Sequence, residues 1–285
     1  MSRSLTDATP IEFADLLAGL PEGAAPPPVQ RRWVSTPAGG HVSGVFWQTG
    51  LPQLVLLHEA GSSARSWDDV LPAVDRPAVA VDLPGHGRSN WRGRGDYRPR
   101  RLAGAVAEAA HSFAPAGVPV VGRGLGALVA IAAAAKAPTQ FGRVVLVDTL
   151  PGALTAPDRP WPTPSPDFAG QDEAHDWLAA RVGPDSAAPA TARTARQETV
   201  EGDDGRWTWR HHLGSLPDDA PTDLDDDALW ARLAAVPAPL LVRTEGGPLD
   251  DKAVARFTTE AATGEISTVE PGPAALAALL RGLLP

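Results

Sequence analysis

Short apolar runs recur along this chain, each broken by polar or proline- and glycine-rich stretches. They predict strands at 31–35, 41–47, 53–57, 77–81, 118–121, 143–147, 239–243 and 265–269. The later runs are unbroken Val/Leu/Ile rather than alternating, as expected for strands buried on both faces of a parallel sheet. Between them, residues 100–114, 125–137, 250–259 and 273–284 carry the helical pattern. Alternating strands and helices predict a doubly wound α/β domain. Ahead of it, Ile11, Phe13, Leu16, Leu17 and Leu20 predict a helix over 10–20 that stops at Pro21, followed by a Pro/Ala/Gly linker over 21–28.

About ninety residues between the sixth and seventh strands have another character. Residues 151–170 are proline-rich, and Trp161, Trp177, Trp207, Trp209 and Trp230 follow one another here. The organisation that results is an N-terminal helix and linker (1–30), a first core segment (31–150), an insertion (151–236) and a second core segment (237–285). The run Asp223 to Asp227 reads as an acidic helix start favoured by the helix dipole, with metal binding as the sharper alternative.

Composition removes several functions. The net charge is −9, which disfavours nucleic acid and anionic membranes as partners. With no cysteine there is no disulfide, thiolate metal site or cysteine nucleophile. No signal-peptide pattern opens the chain and no run nears the ~18–20 apolar residues of a membrane span, so a cytoplasmic protein is expected.

Three segments carry the chemistry. Val55-Leu56-Leu57-His58-Glu59-Ala60-Gly61 follows the third strand, Asp82-Leu83-Pro84-Gly85-His86-Gly87-Arg88-Ser89 follows the fourth, and Gly122-Arg123-Gly124-Leu125-Gly126 follows the fifth. In that order and spacing they resemble the α/β-hydrolase superfamily: the oxyanion-hole loop, the turn after the fourth strand, and the Gly-x-Ser-x-Gly nucleophile elbow. The resemblance covers residues 31–285 and implies an α/β-hydrolase fold with the insertion as a lid.

It also implies a catalytic triad, and here the sequence departs from the pattern. Gly124 stands at the nucleophile position, and no serine occurs from Phe113 to Pro164. The base belongs near Thr268–Pro273, yet the last histidine is His212. Glu59 replaces the glycine that lets backbone approach an oxyanion. The acid survives as Asp148 or as Asp250 and Asp251, which read as helix caps or surface charges once the other members are gone. Acyl transfer by the usual route is therefore not expected. Glycine at 124 also relieves the strain of the elbow conformation.

Several readings of the pocket remain. The first is a triad-less member that binds a small apolar or ester-like molecule, or a partner, through His58, Glu59, Arg123, Gly124, Leu125 and Asp148, without a cofactor. A second is a lyase, isomerase or cyclase using Glu59 and Arg123, which otherwise form a plain ion pair. A third is dinucleotide binding, because Gly122–Ala127 also fits Gly-x-Gly-x-x-Ala with Asp148 at 21 residues further on. A hydrolase with another nucleophile is the last. Of the remaining histidines, His58 and His86 read as structural, and His211 and His212 as an exposed pair on an amphipathic lid whose tryptophans pack together.

Overall fold

The computed structural model describes residues 12–14, 16, 27–37, 40–93, 95–152, 165–182, 188–216, 219–221 and 226–284. Eight strands form one sheet in the order β1-β2-β4-β3-β5-β6-β9-β10, from β1 (Val29–Thr36), β2 (Gly40–Trp47), β3 (Val55–Leu57) and β4 (Ala78–Val81) to β5 (Val118–Arg123), β6 (Phe141–Val147), β9 (Leu240–Thr244) and β10 (Glu265–Val269). The hairpin β1–β2 is antiparallel and β2 runs antiparallel to β4; every other pairing is parallel. These eight are the strands that the apolar runs predict, and the fold is that of the α/β-hydrolases. The parallel strands β3, β4, β5 and β6 read as near-continuous Val/Leu/Ala because both of their faces are covered.

One face is covered by α2 (Pro99–Phe113), α3 (Leu125–Lys136), α6 (Asp226–Ala234) and α7 (Asp251–Glu260). Both α2 and α3 are alanine-rich on their buried sides, so their backbones lie close together and α3 is buried all round. On the other face, the short α1 (Leu71–Val74) and α8 (Pro273–Gly282) pack with Phe13, Leu16 and Trp67. Of the N-terminal helix expected over 10–20, residues 12, 14 and 16 are helical and Phe13 and Leu16 are buried; its remainder and the linker over 21–26 lie outside the described residues. Among the described residues no helix is long and apolar enough to cross a membrane.

Between β6 and β9 the described chain forms α4 (Gln171–Val182), α5 (Ala188–Glu198) and the small hairpin β7 (Thr199–Glu201)–β8 (Trp207–Trp209). Its own core holds Phe168, Ala174, Leu178, Ala195 and Trp209, with Trp177 and Trp207 packed against it. Trp230 belongs instead to the main core, while Trp161 and Asp223–Asp225 lie outside the described residues. The inserted segment is fastened over the carboxyl edge of the sheet: His212 N–H donates to the Gly85 carbonyl at 2.8 Å, and Arg193 pairs with Asp69.

Candidate functional site

The elbow is built as its glycines require. A Cβ on Gly122 would lie 2.4 Å from the Gly126 carbonyl oxygen, and one on Gly126 would lie 2.3 Å from that of Leu57. Helix α3 can therefore approach strand β5 and the end of β3 only with hydrogen at these two positions. Between them Gly124 adopts φ 54°, ψ −128° as the N-cap of α3, a conformation costly for any residue with a side chain. Its N–H donates to Thr149 Oγ1 at 2.9 Å.

Glu59 occupies the space in front of this turn. A Cβ built on Gly124 would lie 2.7 Å from Glu59 Cβ and 3.1 Å from Glu59 Cα. The two departures from the family pattern thus meet in space: Glu59 occupies the room that a side chain at 124 would need. The same geometry argues against a dinucleotide at Gly122–Ala127, because a carboxylate-bearing side chain faces the turn where a pyrophosphate would approach. Asp148, the proposed ribose partner, is also engaged elsewhere.

The Glu59–Arg123 ion pair does not form. The Arg123 guanidinium lies 4.6 Å from the ring centroid of Trp67, a fully buried indole whose face takes up the cation. Glu59 Oε2 instead lies 3.5 Å from Ser66 Oγ.

Where the triad's acid and base would stand there is a cavity of about 380 Å³, lined by Ser66, Arg123, Asp148, Thr244, Val269 and Gly272 among others. Arg123 and Asp148 of the sequence-predicted pocket thus meet here. His58 and Leu125 are buried and do not line this cavity, and Glu59 faces Gly124 beside it. Asp148 is neither a helix cap nor a free surface charge. Its carboxylate accepts from Thr244 N at 2.7 Å and from Thr244 Oγ1, tying the end of β6 to the end of β9. Asp250 caps α7 by accepting from Ala253 N at 2.7 Å. At the base position β10 passes through Gly272 straight into α8, which Pro273 opens. Asp148→Ala is expected to cost about 1–3 kcal/mol in chemical denaturation, because the Thr244 donors lose their acceptor and alanine replaces aspartate at φ 48°.

Behind the elbow the two other turns are locked together by His58 and Asp82. His58 Nδ1–H donates to its neighbour's carbonyl, Glu59 O, at 2.7 Å, and Nε2 accepts from Leu83 N–H at 2.9 Å. Burial holds this ring's pKa below the ordinary histidine value, in line with a neutral imidazole that accepts a hydrogen bond. Asp82 accepts from Ala64 N, Arg88 N and Arg31 at 2.6–3.0 Å. Burial pushes its pKa up, but Arg31 and these N–H groups outweigh that, and the carboxylate titrates below its usual range.

The inserted segment contributes three groups the sequence did not flag correctly. His211 is 2% exposed rather than surface-displayed, packed near His86 and stacked on Trp209. Burial pushes its pKa down to about 3. His212 is half-buried, hydrogen-bonded to Tyr97 Oη at 2.7 Å and stacked on Trp91. Glu198, at the junction of α5 and β7, is 3% exposed and accepts from Ser63 Oγ at 2.6 Å. Burial first, then the charges of Asp82 and Glu59, push its carboxyl up to about 8. Nothing local marked Glu198, since its partner Ser63 is 135 residues away.

Comparison with known proteins agrees with this fold. The model of the alpha/beta hydrolase family matches residues 54–274. The chain belongs to that family. It is 34% identical over 217 residues to the esterase Rv0045c of Mycobacterium tuberculosis, covering 72% of this chain and 70% of that protein. A solved structure of that esterase superposes with a TM-score of 0.80 at 29% identity, covering 95% of this chain and 98% of the other. A pimeloyl-[acyl-carrier protein] methyl ester esterase of Sodalis glossinidius is 38% identical over 123 residues, which span 41% of this chain and 45% of that protein. Relatives of this α/β hydrolase thus carry the name of esterase, while position 124 here has no hydroxyl and the chain after His212 has no histidine.

Proposed function

We propose that this chain is a non-hydrolysing member of the α/β-hydrolase family that binds a small apolar or ester-like molecule in the 380 Å³ cavity. One observation carries the reading: the nucleophile position is glycine, and the volume a nucleophile's Cβ would need lies within 2.7 Å of Glu59 Cβ. The relatives' names favour ester cleavage. Cleavage by their usual route needs an attacking oxygen, a base to take its proton and donors for the oxyanion. Here the first two have no residue, and a carboxylate stands beside the third.

The test uses p-nitrophenyl butyrate and its amide analogue with the intact protein. Saturable quenching of tryptophan fluorescence is expected, since Arg123 lines the cavity and Trp67 is buried directly beneath it, with no nitrophenolate released above buffer. Turnover near the ~10 s⁻¹ typical of enzymes would overturn the reading.

A second reading, an enzyme that moves protons without hydrolysis, is favoured by Glu198. A carboxyl that burial, and after it the charges of Asp82 and Glu59, keeps protonated to about pH 8 is the acid–base asymmetry such chemistry uses. That reading requires Glu59→Gln to abolish a measured turnover.

A further inference from the structure

A second cavity, of about 350 Å³, lies between the inserted segment and the core and shares no lining residue with the first. Its wall brings together Arg31 of β1, Arg65 after β3, Arg88 after β4, Arg196 of α5 and Arg210 after β8, with Glu12 the sole acidic residue lining it among the described residues. Such convergence is unexpected in a chain of net charge −9.

The arginines differ in how far they are satisfied. Arg31 is fully engaged, by Glu12 and Asp82 at 2.6–2.7 Å and by Ser43 Oγ at 2.6 Å. Arg65 holds Asp68 at 2.7 Å, while its Nη2 is buried without a hydrogen-bond partner. Arg88 reaches Glu12 only at 3.4 Å. Arg210 pairs with no carboxylate among the described residues, and its backbone N–H alone is bonded, to Glu198 O at 2.6 Å. Burial, and after it the like charge of Arg88, hold the Arg210 pKa below its ordinary value. Of the two carboxyls that act on it, Glu198 holds its proton to about pH 8 and Glu12 is already paired with Arg31.

We propose that this cleft binds a phosphoryl dianion, either free phosphate or the terminal phosphate monoester of a larger ligand. Each guanidinium presents five N–H donors in a planar fork. A carboxylate offers one plane and saturates one fork, whereas three phosphoryl oxygens accept from forks arriving from different elements. Arg88 and Arg210 come from the core and from the inserted segment, so the anion would also bridge the two. The cleft lies apart from the cavity proposed for the uncharged ligand, and either proposal can fail without the other.

The experiment is isothermal titration calorimetry of the intact protein with inorganic phosphate and with phenyl phosphate, at pH 7.5 and constant ionic strength. Saturable binding is expected, weakened about ten-fold or more in Arg210→Gln and in Arg88→Gln, with Arg210→Lys intermediate. Arg88 has a side chain 42% exposed, so its variant keeps the test valid should Arg210→Gln fold poorly. Tighter binding of phenyl phosphate identifies the monoester as the ligand, and equal binding identifies free phosphate. Absence of saturable heat, or identical affinity in wild type and both glutamine variants, would overturn the proposal.

Discussion

Gly124→Ser is expected to yield no esterase and to lower stability by about 2–6 kcal/mol in urea denaturation. Two costs add. Any side chain at φ 54°, ψ −128° carries backbone strain of about 1–3 kcal/mol. Its Cβ also meets Glu59 Cβ at 2.7 Å, and overpacking of this kind costs about 1–3 kcal/mol. Glu59→Gly in the same chain removes the closer contact and leaves the 3.1 Å approach to the Cα. The double variant should therefore recover part of the loss, with a coupling of about 1–2 kcal/mol between the two sites. Neither variant should cleave esters, because Val269 to Pro273 still supply no base. Purely additive effects would show that Glu59 and Gly124 do not share one space.

The second large effect is on pH dependence. Glu198 titrates near 8 in the folded protein, whereas a free carboxyl titrates near 4.3. Its folded pKa is raised, so its contribution is complete below about pH 4 and is lost as pH rises toward 8, amounting to several kcal/mol for so buried a group. Glu198→Gln keeps an acceptor for Ser63 and cannot ionise. It is expected to melt higher than wild type at pH 8 and close to wild type at pH 4.5. Equal destabilisation at both values would contradict the protonated, buried state of Glu198. Buried His211 acts in the opposite sense: its pKa is depressed, so stability is lost as pH falls from about 6.5 toward 3. Since wild type and variant share that loss, their difference isolates Glu198.

These effects also show which features a sequence can reveal. The three turns were legible because their chemistry is local: Gly122 and Gly126 mark backbone approaches that no other residue permits, and the Val/Leu runs mark strands covered on both faces. The inserted segment was not legible, because α4 and α5 pack on their own small aromatic core and lack a clear apolar stripe. His211 looked exposed for the same reason; what buries it, the turn around His86, is 125 positions earlier. The arginine cleft draws on five separated segments, each supplying one of its arginines. The expected pairing of Glu59 with Arg123 is not realised, because the face of Trp67 takes up the cation, and no spacing announces a stacking partner.

The central claim is that the elbow has exchanged its nucleophile for the bulk of Glu59. Intact-mass spectrometry after incubation with a fluorophosphonate tests it most directly, with the related Mycobacterium tuberculosis esterase as positive control. An unchanged mass for this chain is predicted while the control gains one adduct. A stoichiometric adduct on any serine here, with Ser63 and Ser66 the nearest to Glu198 and Glu59, would contradict the account.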